Sequence, residues 1–171
     1  MIFETPRLTC RLWQPSDLSA IYELYSDPLG ARWVGDGQPI TLAECERWLQ
    51  VTATNYRIRG YGMFALDDKS SGRLVGCCGL VHPGGQAEAE IKYAFLRDFW
   101  GRGLATEVVP ALLEYAAYQH GLKRVIATVA PENLGSRRVL EKSGLLQCAE
   151  QRDDNGEQTL VYEWLAVSKR P

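Results

Sequence analysis

The sequence predicts one α/β domain with a central, mixed but mostly antiparallel twisted sheet of about seven strands and about four helices. Three observations predict it. Short runs of alternating or continuous apolar residues, separated by turn signals, come three in a row between residues 61 and 96, the pattern of an antiparallel meander. Segments with helical spacing of apolar residues lie both before and after that meander. The chain then closes on two strand-like runs around Asn155-Gly156, a strong hairpin signal. At 171 residues, without repeats, low-complexity tracts or linkers, it is long enough for a single substantial core.

The elements follow in order. Arg7–Trp13 alternates, with Leu8, Cys10 and Leu12 on one side, and reads as a strand closed by Pro15. Ser16 is a candidate N-cap for a helix carrying Leu18, Ile21, Tyr22 and Tyr25, which should end before Asp27-Pro28 because proline disfavours helix in the residue ahead of it. Residues 27–40, with Pro28, Gly30, Gly35, Gly37 and Pro39, read as a loop. Thr41 and Glu44 form a capping-box pattern opening a second helix to about Arg59, stopped by Gly60. The meander strands are Tyr61–Leu66, Arg73–Leu80 and Glu88–Leu96. A helix over Gly103–His120 follows, with a bend expected at Pro110, whose ring removes a helical hydrogen bond. Arg124–Val129 reads as a strand and Asn133–Ser143 as a helix stopped by Gly144; Leu145–Gln151 and Thr159–Val167 form the closing hairpin.

Composition narrows the function classes. Hydrophobic residues at 46% and charged residues at 23% are ordinary for a globular domain and argue against disorder. A net charge of -2 supplies no general attraction to nucleic acid or to an anionic membrane. The start, Met1-Ile2-Phe3-Glu4-Thr5-Pro6-Arg7, lacks the basic head and apolar core of a signal peptide, and no apolar run reaches about 18 residues. The five cysteines (Cys10, Cys45, Cys77, Cys78, Cys148) are odd in number and lack metal-ligand spacing, which predicts reduced thiols and a cytoplasmic location. Cys77 and Cys78 should face opposite sides of a strand.

The run Phe99-Trp100-Gly101-Arg102-Gly103-Leu104-Ala105-Thr106-Glu107 joins a strand to a helix through two glycines. A helix start offers unpartnered N–H groups and partial positive charge, and glycine lets a bulky phosphate approach them. Glycines before a helix also make plain turns. Gly101-x-Gly103-x-x-Thr106 imitates part of a dinucleotide fingerprint, but the third glycine is missing and the preceding strands read as antiparallel, which argues against a nucleotide-binding enzyme; no phosphate loop ending in Gly-Lys-Ser/Thr is present. His82 in a Pro-Gly-Gly turn and His120 at a helix end, where a cation suits the dipole, have no third partner at metal-ligand spacing, so no metal is expected. Glu88 and Glu90 share one face of their strand, with Ile91 on the other.

A second signature, Pro131-Glu132-Asn133-Leu134-Gly135-Ser136-Arg137-Arg138-Val139-Leu140-Glu141-Lys142-Ser143-Gly144-Leu145, stands one helix and one strand downstream. Together with Glu90-Ile91-Lys92-Tyr93-Ala94-Phe95-Leu96 and the glycine loop, it resembles the GNAT superfamily of acetyl-CoA-dependent N-acetyltransferases, particularly the branch with the Rim-type ribosomal-protein N-terminal acetyltransferases. The likeness extends to Tyr25-Ser26-Asp27-Pro28 and Trp33, and so covers nearly the full length.

The resemblance implies a GNAT-type acyltransferase fold, with acetyl-CoA as co-substrate and a protein N-terminus or small-molecule amine as acceptor. It implies that the pyrophosphate lies over the backbone of Arg102, Gly103, Leu104, Ala105 and Thr106, with the Thr106 hydroxyl and the Arg102 charge in support. The strand is implied to splay around residues 93–96, so that the backbone of Ala94, Phe95 and Leu96 pairs with the pantetheine arm and holds the thioester oxygen. Asn133 either contacts the pantetheine or N-caps its helix. Many members carry a tyrosine seven residues later as the acid for the departing thiolate; this chain has Leu140 there, and Ser136 is the candidate acid, although a helical serine also bonds back to its own backbone. Glu90 is the candidate general base, or else a solvent-facing strand residue. The Asp27–Pro39 loop, with Trp33 and Asp36, and the turn over residues 152–157 are implied to flank the acceptor, while Trp33 and Trp48 read equally as packing residues. No nucleic acid or membrane partner is expected, and both monomer and homodimer fit. The alternative is a non-catalytic acyl-CoA sensor or interaction module on the same fold.

Overall fold

The computed structural model describes residues 1–34 and 37–167; Gly35 and Asp36 of the predicted acceptor loop lie outside the described residues. Thirteen elements are named below: β1 (Phe3–Glu4), β2 (Leu8–Arg11), α1 (Leu18–Ser26), α2 (Pro28–Ala31), α3 (Leu42–Arg59), β3 (Met63–Asp68), β4 (Leu74–Val81), β5 (Ala89–Phe95), α4 (Leu104–His120), β6 (Arg124–Val129), α5 (Leu134–Lys142), β7 (Leu146–Arg152) and β8 (Gln158–Leu165). The strands form one sheet in the order β1-β2-β3-β4-β5-β6-β8-β7. Every neighbouring pair is antiparallel except β5 and β6, which run parallel because α4 crosses between them.

The α/β expectation holds, with one strand and one helix more than predicted. The added strand is the two-residue β1, where Phe3 pairs with Cys10; it is too short to show a period. The added helix is α2, inside the segment read as a loop: Pro28 pre-sets the first helical position and the Asp27 carboxylate accepts the Leu29 N–H at 3.2 Å. The first helix begins after a 3-10 turn, capped by Gln14 instead of Ser16; the Gln14 N–H donates to the Asp17 carboxylate at 2.8 Å. The Thr41–Glu44 capping box forms as expected, and Gly60 closes α3 at φ 78°. The α4 helix continues through Pro110 as one element.

Each face of the sheet is covered. Leu104, Val108, Val109, Leu112, Leu113 and Ala116 of α4 pack against Leu8, Phe64, Cys78, Ile91 and Phe95 on one face. Ile21, Leu24 and Tyr25 of α1 and Cys45 of α3 pack with Met63, Ala65, Cys77 and Leu96 on the other. The neighbours Cys77 and Cys78 thus enter opposite cores, as the strand period requires, and all five cysteines are free. Trp48 stands edge-on to Trp13 in that second core, at 5.2 Å between centroids, whereas Trp33 is exposed with Arg32 over its ring. His120 differs from expectation: burial lowers its pKa and so favours the neutral ring, which meets the Tyr115 hydroxyl at 2.9 Å. Among the described residues, no helix is long and apolar enough to cross a membrane.

Candidate acyl-donor cleft

The parallel contact between β5 and β6 is brief. Ala89 faces Val125 and Glu90 faces Ile126; beyond that β5 continues to Phe95 without a partner on this side, while remaining paired to β4 as far as Gly76–Phe95. The sheet is therefore split into a cleft that widens from Glu90 towards Phe95 and the glycine loop.

Strand parity decides which backbone groups line that cleft. The Leu96 N–H donates to the Val75 carbonyl at 2.9 Å, so it points to β4. Backbone groups alternate along a strand, so those of Ala94 also point to β4, and those of Tyr93 and Phe95 point to the open edge. This corrects the expectation for Ala94, Phe95 and Leu96: of the three, only Phe95 offers its backbone to the cleft, and Tyr93 joins it. The Phe95 carbonyl on that edge already accepts the Trp100 indole N–H at 2.7 Å, which folds the loop back against the strand end.

At the mouth of the cleft, Gly101 and Gly103 take φ of 71° and 75°, left-handed values that side chains disfavour. Gly103 is the N-cap of α4, with no side-chain cap. The first helical bond runs from the Glu107 N–H to the Gly103 carbonyl at 3.1 Å, so the N–H groups of Leu104, Ala105 and Thr106 have no acceptor within the helix. The Arg102 guanidinium lies 4.6 Å from the centre of the Phe99 ring, and Thr106 is half-buried in the first turn. Such a helix start, with positive partial charge and room above two glycines, suits a diphosphate.

Across the cleft stands the first turn of α5. The Asn133 side-chain oxygen accepts the Ser136 N–H at 3.2 Å, so Asn133 caps the helix, the second of its two readings. The Ser136 hydroxyl lies 2.7 Å from that of Tyr93, which reaches over from β5. Burial pushes the Tyr93 phenol up to about 12, so it holds its proton at working pH. The sequence reading missed this pairing, because no spacing rule relates positions 43 residues apart.

Glu90 is 3% exposed, against the solvent-facing alternative. Its carboxylate accepts from Lys92 Nζ, from the Thr128 hydroxyl of β6 and from Gln86 Nε2, the last at 3.3 Å. It is thus fixed where β5 and β6 part, and its charge is balanced by Lys92, whose side chain is 42% exposed. Of the predicted acceptor-side groups, the Asp153 carboxylate is already engaged by the Asn155 and Glu157 N–H groups of its own turn, at 2.9 and 2.8 Å. No group of three or more His, Cys, Asp or Glu side chains arranged to hold a metal occurs among the described residues.

A family model described as an acetyltransferase (GNAT) domain matches residues 7–146. The chain belongs to the GNAT acetyltransferase family. It is accordingly an N-acetyltransferase that acts on amines. Among curated relatives, the uncharacterized protein YkkB of Bacillus subtilis is 30% identical over 145 residues, 82% of this chain and 83% of that protein. The uncharacterized N-acetyltransferase p20 of Bacillus licheniformis is 28% identical over 150 residues, 84% of each. Among solved structures, RimL, a ribosomal L7/L12 alpha-N-protein acetyltransferase in complex with coenzyme A, superposes with a TM-score of 0.81 at 18% identity, over 96% of this chain and 97% of that one. Spermidine N-acetyltransferase from Vibrio cholerae, in complex with CoA and spermine, gives 0.77 at 18% identity, over 93% and 95%. These two likenesses establish the GNAT fold.

Proposed function

We propose that this chain transfers acetyl from acetyl-CoA directly to a primary amine of a protein N-terminus or a small molecule. The observation that carries this reading is the cleft itself: a strand edge left open from Tyr93 to Phe95, with a bare helix start at its mouth. The diphosphate lies over the amides from Arg102 to Thr106, and the pantetheine arm pairs with Tyr93 and Phe95 as an added strand. An N–H of that edge holds the thioester oxygen as negative charge develops on it.

Glu90 takes a proton from the acceptor ammonium, either directly or through one water, exposing the lone pair that attacks the thioester carbon. The acceptor's cation takes over the pairing that Lys92 makes with Glu90. As the C–S bond breaks, the Ser136 hydroxyl gives its proton to the thiolate and regains one from Tyr93, which recovers its own from water as the attacking nitrogen releases its second proton to solvent on becoming the amide, so that a hydroxyl pair does the work of the tyrosine that Leu140 replaces.

Calorimetry with acetyl-CoA, followed by thiol release with a panel of amines, tests this reading. The panel should contain N-terminal peptides and spermidine, since RimL and the Vibrio enzyme are named for such different acceptors. Binding followed by turnover on one acceptor is expected. Silence towards acetyl-CoA at millimolar concentration removes the reading, and binding without any turnover favours the non-catalytic module. For the hydroxyl pair, Ser136→Ala should lower kcat by about a hundredfold at unchanged acetyl-CoA affinity, the scale of general acid catalysis. Tyr93→Phe should show a smaller loss of the same kind. An unchanged kcat in Ser136→Ala under saturating substrates removes Ser136 from the proton path.

A further inference from the structure

We propose that Arg7 is a positioning residue for the acyl donor: it cancels the charge of Glu107 beneath the diphosphate cradle and fixes the loop that forms it. The inference rests on the transferase reading above and adds a residue from the far end of the chain. Glu107 lies in the first turn of α4, where a carboxylate suits the helix dipole but opposes a bound diphosphate by like charge.

The N-terminal segment answers that conflict with three donors. The Thr5 hydroxyl and the Arg7 N–H reach Glu107 Oε1 at 2.6 and 2.9 Å, and Arg7 Nε reaches Oε2 at 2.6 Å. The same guanidinium donates from Nη1 to the Arg102 carbonyl at 2.8 Å, so a single planar fork holds both the loop and the helix. A further nitrogen, Nη2, lies 3.8 Å from where a side chain on Gly103 would begin. The fork is itself oriented, since the Arg7 carbonyl accepts the Lys69 N–H at 2.9 Å and the Leu8 N–H donates to the Thr5 hydroxyl at 3.1 Å. The Glu107 charge is thereby paired with a cation, and the Arg102–Gly103 peptide is held in place before any ligand arrives.

The experiment is calorimetry with acetyl-CoA on the wild type, Arg7→Gln, Arg7→Lys and the Arg7→Gln/Glu107→Gln double variant, each with a thermal melt. Arg7→Gln should weaken binding about tenfold, because it leaves a like charge beneath the diphosphate and a free loop. Arg7→Lys, which keeps the charge and loses the fork, should fall between it and the wild type. The double variant should return to within about threefold of wild type, because the repulsion is gone. A purely structural contact would behave otherwise: the double variant would bind as weakly as Arg7→Gln. That result overturns the proposal, as does wild-type affinity in Arg7→Gln. If Arg7→Gln fails to fold, the proposal stands or falls on Arg7→Lys and on Glu107→Gln, which should bind acetyl-CoA at least as tightly as wild type. Wild type that ignores acetyl-CoA would instead defeat the transferase reading itself.

Discussion

Glu90→Gln should lower kcat by about a hundredfold or more while leaving acetyl-CoA affinity within about twofold of wild type. Glutamine keeps the size of the side chain and still accepts hydrogen bonds from Thr128 and Lys92, but it cannot take a proton from an ammonium. Glu90 is itself only 3% exposed, so bulk water does not readily stand in place of its carboxylate as the base. The amide NH2, standing where the other oxygen accepts from Gln86, would meet Gln86 Nε2 donor against donor; a melt of the variant separates that cost from the catalytic one. A kcat within threefold of wild type at saturating acceptor would show that the proton leaves by another route.

Gly103→Val should raise the dissociation constant for acetyl-CoA about a hundredfold and lower stability by roughly 1–3 kcal/mol, the range for a residue forced into a sparsely populated backbone region. Space is not the reason: a side chain there would first meet Arg7 Nη2 at 3.8 Å. The reason is φ of 75°, which a β-branched residue adopts only under strain. Relief of that strain turns the 102–103 peptide, and with it the amides aimed at the diphosphate. Gly103→Ala should show the same effects at lower amplitude. Normal affinity in Gly103→Val would contradict the cradle.

The local elements were legible because their signals lie within a few residues of one another. Thr41 and Glu44 specify the start of α3, and Gly60 its end, by bonds that close inside one turn. Cys77 and Cys78 separate into two cores by strand period alone. The glycine loop was readable for the same reason, since two left-handed positions and a following helix all lie within Gly101–Leu104. Where a competing local choice existed, the reading erred. Ser16 and Gln14 both precede α1, and Gln14 won through the Asp17 carboxylate. The proline at 28 was read as an end, whereas it also starts α2.

The candidate site was legible only in part, because its chemistry is assembled across the chain. Ser136 and Glu90 could be named as residue types in a pattern, but their partners Tyr93, Thr128 and Lys92 become neighbours only once β5, β6 and α5 meet. Which amides face the cleft depends on a single cross-strand bond, from the Leu96 N–H to the Val75 carbonyl, and alternation then displaces Leu96 in favour of Tyr93. The pairing of Arg7 with Glu107 joins residues 100 positions apart and carries no periodic trace.

The amino-acid sequence by itself determined the elements, the two apolar faces and the helix start bare of side-chain caps, because backbone preference and hydrophobic period act over short stretches. Tertiary structure alone decided where the sheet splits, which hydrogen-bond donors remain unused along the split, and which distant charges guard its mouth. Those outcomes depend on strand register and on close approach between segments far apart in the chain, and neither is encoded in the spacing of neighbouring residues.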